Sequence, residues 1–253
     1  MVSIQLAGKS ALITGASRGI GAAAAVAIAE AGASNIVLHY NSFQQGVEET
    51  AEQVRSLGAN VSLCQADLGH MDGIHSLISR LQGQSFDILI NNAGHLVQRA
   101  KLLESTEEIY DLVFNLNTKS MWFLTQAIVP GMIEKKSGVI VNVSSIAARN
   151  GGGPGATMYS AAKAAVSSFT KGWAKELAPH GIRVNGVSPG TVDNYFHEKH
   201  STRAILDSVV ASTPAGRLST NEDVSDVILF LCSDASRYIH GQTIEINGGM
   251  FMV

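Results

Sequence analysis

Tyr159 and Lys163 stand four residues apart in the run YSAAK, with only small residues between them. On an α-helix, positions i and i+4 share a face, so phenol and ammonium are predicted to lie side by side. A surface pair of this kind needs no function. A fixed cation beside a phenol also lowers the phenol's pKa and makes it a proton donor and acceptor. A free phenol titrates near ~10, and bringing it to about 7 takes roughly 4 kcal/mol of preferential phenolate stabilisation. Beyond the pair, Val166, Trp173 and Leu177 recur at helical spacing, an apolar stripe expected to face a core. Tyr159 and Lys163 begin that inward face, which suits chemistry better than solvation.

A second group of residues could hold a ligand. The run TGASRGIG (14–21) follows the apolar stretch ALIT and opens a helical pattern. There the missing side chains of Gly15, Gly19 and Gly21 let a pyrophosphate approach the backbone and the helix N-terminal N–H groups. The spacing GxxxGxG differs from the GxGxxG of the standard dinucleotide fingerprint, so that rule applies by analogy. An NAD site places an acid about 20 residues on, at the end of the second strand. Here that region reads HYNSFQQG, with no acid between Glu30 and Glu48. Arg18 could instead meet a 2′-phosphate, with Asn41 and Ser42 adding neutral bonds. NADPH is therefore expected over NAD. Asp67, after the third strand, could accept from the adenine amino group, or it could serve as a helix N-cap. Asn91, Asn92, Ala93 and Gly94 form NNAG after the fourth strand and suit either a crevice for a flat ligand or a tight turn.

These residues need elements to position them. ALIT (11–14), NIVLH (35–39), NVSLCQ (60–65), FDILI (86–90), GVIVNV (138–143), IRVNGV (182–187) and TIEI (243–246) read as strands. Helical patterns lie between, at 19–31, 46–57, 71–82, 107–135, 158–178 and 221–232, some of them divided. Alternating β and α elements predict an α/β fold: one doubly wound Rossmann-type domain spanning 1–253, with about seven parallel strands and helices on both faces. In such sheets ligands bind beyond the carboxyl ends of the strands, where the glycines, NNAG and the residues after GVIVNV all fall.

Composition narrows the function classes. The chain has 253 residues, is 45% hydrophobic, and carries a formal charge of −3 with no basic cluster. Nucleic acid and an anionic membrane are thus not expected as partners. Cys64 and Cys232 sit singly in apolar runs, which predicts two reduced thiols, and no His/Cys/Asp cluster calls for a metal. MVSIQLAGKS lacks the pattern of a signal peptide, and a cytoplasmic protein is expected.

Taken in order, TGASRGIG, NNAG, the segment NLNTKS, the pair Ser144–Ser145 with YSAAK, and VSPG (187–190) resemble the short-chain dehydrogenase/reductase family over essentially the whole chain. The resemblance implies four catalytic positions: Asn117, Ser145, Tyr159 and Lys163, with Asn115 and Ser144 as competing choices for the first two. It implies a cofactor set of Gly15, Ser17, Arg18, Gly19, Ile20, Gly21, Asn41, Ser42, Asp67, Leu68, Asn91, Ala93, Gly94, Tyr159, Lys163, Pro189, Gly190 and Val192. Tyr159 would supply the proton, Lys163 would hold the nicotinamide ribose, Ser145 would polarise the carbonyl, and Asn117 would kink a helix and hold a water. Many relatives have a threonine soon after the turn of Pro189 and Gly190. Here Asn194 takes that place while Thr191 comes early, so the resemblance does not carry over a carboxamide contact.

In relatives the region 191–217 closes over the substrate. His197 and His200 within it read as solvated residues, and His95 as either pocket wall or turn surface. Arg149 and Asn150 are equally open. The general shape is most similar to the 3-oxoacyl-[acyl-carrier-protein] reductase branch, for which Arg99, Lys101 and Arg149 are the candidate docking residues. A sugar, polyol or small ketone is the alternative substrate, and a non-catalytic dinucleotide-sensing scaffold is the alternative from another class. An NAD-dependent oxidation would differ only in cofactor. The resemblance also implies a homotetramer pairing the long helices, with the apolar end GGMFMV at an interface.

Overall fold

The computed structural model describes residues 4–253. Seven strands form one parallel sheet: β1 (Ser10–Ile13), β2 (Asn35–Tyr40), β3 (Asn60–Gln65), β4 (Ile88–Asn91), β5 (Gly138–Val143), β6 (Ile182–Pro189) and β7 (Thr243–Ile246). Their order across the sheet is β3-β2-β1-β4-β5-β6-β7. The order reverses between β1 and β4, where Ala11 pairs with Ile36 on one side and Ile88 on the other. Crossovers leave β1 and β4 in opposite directions there, and the loops part to open a crevice.

Among the described residues, ten α-helices connect the strands: α1 (Gly19–Glu30), α2 (Gln44–Ser56), α3 (Met71–Arg80), α4 (Glu107–Phe114), α5 (Ser120–Lys135), α6 (Ala147–Asn150), α7 (Thr157–Leu177), α8 (Tyr195–His200), α9 (Arg203–Ser212) and α10 (Asn221–Cys232). The two-residue period of the strands sorts side chains onto two faces. Ala11, Ile13, Ile88, Ile90, Val141 and Val143 face α1, α2 and α10 and meet Ala24, Ile28, Val47 and Ile228. Leu12, Leu89, Ile140, Ile182 and Val184 face α3, α5 and α7 and meet Ile74, Leu124, Val166 and Trp173. The stripe of α7 therefore packs on the sheet as its spacing predicts.

The expected helix over 107–135 is interrupted. Residues Asn115–Lys119 form a π-helical turn between α4 and α5. Asn117 Nδ2 donates to the Val113 carbonyl at 2.8 Å, Thr118 Oγ1 to Phe114, and Ser120 Oγ to Leu116 at 2.7 Å. Three side chains within four residues thus take carbonyls that backbone amides would otherwise use, and the turn widens. Strand ends also shift by one or two residues: β4 begins at Ile88 and includes Asn91, and β6 continues to Pro189.

Candidate functional site

A cleft of about 720 Å³ opens beyond the carboxyl ends of the strands, lined from β1 round to α9. Its floor at one end is the glycine turn. Gly15 and Gly19 have φ of +67° and +62°, the left-handed region that glycine enters without penalty. A Cβ on Gly21 would stand 2.3 Å from the Gly15 carbonyl, so only hydrogen fits where α1 begins. The turn is held from behind by His39. Its Nδ1 accepts from the Gly15 N–H at 3.2 Å, which leaves the ring proton on Nε2 for the Ala66 carbonyl at 3.1 Å. The ring is 2% exposed, and burial lowers its pKa from 6.5 to about 4. Nothing in its sequence context marks His39.

Asn92 ties the turn to NNAG. Its Nδ2 donates to the carbonyls of Thr14 and Gly15, and the N–H groups of Asn92 and Ala93 both donate to Thr14 Oγ1. Asn91 differs from expectation. Its side chain points into the core, donating to Thr125 Oγ1 and Asn142 Oδ1, because it is the last residue of β4 and takes the interior side of the pleat. Asp67 is exposed and accepts from the Gly69 N–H at 2.9 Å in a local turn, while Leu68 lines the cleft. Asn41, Ser42, Ser17, Ile20, Pro189, Gly190 and Val192 do line it. Arg18 is not freely solvated. Its guanidinium lies 3.9 Å from the Phe43 ring centroid and 4.1 Å from that of Tyr195.

The polar cluster lies at the centre. Asn117 Nδ2 donates to the His95 carbonyl and its Oδ1 accepts the His95 N–H. Asn115 instead turns away to the Gly69 carbonyl. Between the two serines, Ser144 is buried and bonds the Lys163 carbonyl and Ser167 Oγ, both at 2.8 Å. Ser145 faces the cleft beside Tyr159, and its Oγ accepts from the Ala147 N–H at 3.1 Å. Lys163 Nζ donates to the Val143 carbonyl at 2.8 Å and stands 5.7 Å from the Tyr159 ring centroid.

The expected fall in the phenol's pKa is reversed in the chain by itself. Burial pushes Tyr159 up to about 12, against a smaller downward pull from the Ser145 hydroxyl. The same burial lowers Lys163 to about 8. Both charged forms lose solvation in this pocket, and at 5.7 Å to the ring the ammonium does not compensate.

Over this centre lies the segment 191–217, carrying α8 and α9. Asn194 N-caps α8 through the Phe196 N–H and also donates to Asn221 Oδ1, so it is occupied locally. Phe196 stands 5.9 Å from Tyr159, between ring centroids, and packs against His95, His197 and His200. All three histidines are half-buried, so His197 and His200 are less solvated than expected. His95 Nδ1 accepts from Val97, so its proton lies on Nε2 and is donated to His200 Nε2 at 3.1 Å. Burial lowers His95 and His197 to about 4. Arg149 pairs with Glu245 at 2.8 Å, and Arg99 donates to the carbonyls of His200 and Pro154. Two of the three candidate docking cations are thus engaged within the chain.

A family model described as enoyl-(acyl carrier protein) reductase matches residues 15–251. The 3-oxoacyl-[acyl-carrier-protein] reductase FabG of Thermotoga maritima is 38% identical over 98% of this chain and 99% of its own length. An uncharacterised oxidoreductase, YmfI of Bacillus subtilis, is 40% identical over 95% of this chain and 98% of its own length. Among solved structures, a putative NAD(P)-dependent gluconate 5-dehydrogenase from Beutenbergia cavernae with bound NADP has a TM-score of 0.91 at 32% identity, covering 98% of both chains. A gluconate 5-dehydrogenase from Burkholderia cenocepacia, in complex with NADP and tartrate, has a TM-score of 0.88 at 30% identity, covering 98% of this chain and 97% of that one. With the ordered motifs and the sheet topology, these likenesses place the chain: it belongs to the short-chain dehydrogenase/reductase family and is an oxidoreductase.

Proposed function

We propose that this chain reduces a carbonyl to a secondary alcohol with NADPH, and that its substrate class is a 3-oxoacyl thioester. The observation that carries the reading is the convergence of Ser145, Tyr159 and Lys163 on one wall of a cleft whose other end is a glycine cradle beside Arg18. That cradle fits a dinucleotide: added Cβ atoms at Gly15, Gly21 and Gly94 would meet neighbours at 3.0, 2.3 and 2.7 Å. Gly15, Ser17, Gly19, Ile20 and Gly21 would hold its pyrophosphate. Arg18, Asn41 and Ser42 would take the 2′-phosphate, and Ala93, Gly94, Pro189, Gly190 and Val192 would border the nicotinamide half. Bound NADPH supplies the hydride.

The chain's own residues handle the proton. At neutral pH the buried Tyr159 hydroxyl is fully protonated, as a donor to an alkoxide must be. Ser145 beside it would hydrogen-bond the same substrate oxygen and hold it in place. Lys163, charged below about pH 8, would steady the phenolate left behind and reach the ribose hydroxyls. Asn117, held by His95 and the widened turn, fixes the backbone at Gly94 against the lysine. The segment 191–217 would cover the substrate through Phe196.

The curated relatives favour the thioester. One observation favours a hydroxylated acid instead: His95, His197 and Arg99 make part of the cleft wall polar. The gluconate 5-dehydrogenases among the structural neighbours are consistent with that second reading. A scaffold without turnover has no need of the intact Ser145, Tyr159 and Lys163. Loss of NADPH absorbance with a 3-oxoacyl thioester, a 5-oxo sugar acid and a simple ketone compares the classes. Turnover of the sugar acid alone would replace the thioester reading, and no turnover of any would favour the scaffold.

The two buried free thiols suit a reducing cytoplasm. Among the described residues no helix is long and apolar enough to cross a membrane. Met252 and Val253, 81% and 85% exposed, would be covered in a homotetramer, which light scattering would detect.

A further inference from the structure

We infer that Tyr195, from the segment covering the substrate, is a positioning residue for cofactor choice: with Phe43 it clamps Arg18 so that the guanidinium edge is presented to a 2′-phosphate. The inference rests on the phosphate role proposed for Arg18. Arg18 lies between two rings, with its Cζ 3.9 Å from the Phe43 centroid and 4.1 Å from the Tyr195 centroid. Among the described residues it makes no ion pair and no side-chain hydrogen bond. Both rings lie within stacking distance of Cζ, and rings stacked on a guanidinium take its faces, whereas its N–H donors lie in its plane. Stacking therefore restrains the side chain without consuming the groups that would bind an anion. A free arginine gives up rotamer freedom when it grips a ligand, and a clamped one has less to lose.

The backbone places both rings, although Tyr195 is 46% exposed. A Cβ on Gly46 would fall 2.1 Å from the Phe43 ring, so a glycine there is what lets Phe43 lie flat against the start of α2. Tyr195 is the first residue of α8, whose N-terminus is set by Asn194. Asn194 is tied in turn to Asn221 at the start of α10, 3.0 Å away, beside Gly19. The neighbouring Phe196 packs toward Tyr159. One short helix thus reaches the phosphate-reading arginine with one residue and the reaction centre with the next. NAD lacks the 2′-phosphate, so only NADP should sense the clamp.

The test is direct binding, by calorimetric titration of NADP+ and NAD+ into the purified chain and its Arg18→Ala, Tyr195→Ala and Tyr195→Phe variants, with melting curves as a control for folding. Removing one ring should weaken NADP+ roughly three- to tenfold while NAD+ changes by less than about twofold. Tyr195→Phe, which keeps the ring, should bind NADP+ as the parent does. Equal weakening of both cofactors by Tyr195→Ala would overturn the inference, since the ring would then be touching a part they share. So would normal NADP+ binding by Tyr195→Ala when Arg18→Ala weakens it, and in that case the phosphate role would stand. If Arg18→Ala leaves NADP+ unaffected, the phosphate role itself falls, and the clamp with it.

Discussion

Gly94 lies so close to Lys163 that a Cβ added to it would stand 2.7 Å from the ammonium nitrogen and equally 2.7 Å from Asn117 Oδ1. The lysine could swing aside, but Asn117 is held by bonds to His95 and Val113. Gly94→Ala should therefore displace the ammonium more than it unsettles the fold. The expected outcome is a ten- to hundredfold fall in kcat with a melting temperature within a few degrees of the parent. An unchanged kcat would show that the lysine's position is not critical.

The two adjacent serines should separate cleanly. Ser145→Ala and Tyr159→Phe are each expected to lower kcat by about two to four orders of magnitude while leaving NADP+ binding within a few-fold. Ser144→Ala should instead cost about 1 kcal/mol of stability, because Ser144 bonds the Lys163 carbonyl and Ser167, and leave most of the activity. A reversal of these two serine phenotypes would reassign the catalytic hydroxyl.

Lys163 carries a pH prediction. Burial lowers its pKa to about 8, so it is charged below that pH and neutral above it. The kcat/KM for reduction reports the free enzyme and should be level through neutrality and decline above about pH 8. A profile level to pH 9.5 would contradict the lysine's electrostatic role.

His39 links acidity to stability. Folded, it titrates at about 4, and unfolded at 6.5, so between these values the unfolded chain holds more protons. Stability should therefore fall as pH drops from 6.5 to 4 and stay level below, by at most about 3 kcal/mol from this residue. Urea midpoints at pH 7.5 and 4.5 would show it. His39→Asn cannot titrate and should have the smaller difference; an equal difference would place the acid sensitivity elsewhere, for instance at His95 or His197.

The seven parallel strands, the stripe of α7 and the glycine turn are legible in the residues alone, because period 2, period 3.6 and missing side chains are local properties of the chain. The break in 107–135 is less legible, since it depends on Asn117, Thr118 and Ser120 each choosing a carbonyl one turn back. The residues alone leave Asn91 and Asp67 open between ligand and local roles; the first turns inward and the second enters a local turn. His39, Phe43, Tyr195 and Phe196 carry no signal. Their parts in the cleft come from partners far away along the chain.

By itself the sequence determined that Tyr159 and Lys163 would share one helix face and that a glycine turn would follow a strand, since spacing within one element fixes each, while the serine joined them only through the family resemblance. Only the tertiary structure decided which serine faces the cleft and which asparagine is tied to it through His95. It also decided the electrostatics: the phenol's pKa rises and the ammonium's falls because packing strips water from both. Desolvation is a property of everything that surrounds a group, and no spacing of residues along the chain encodes it.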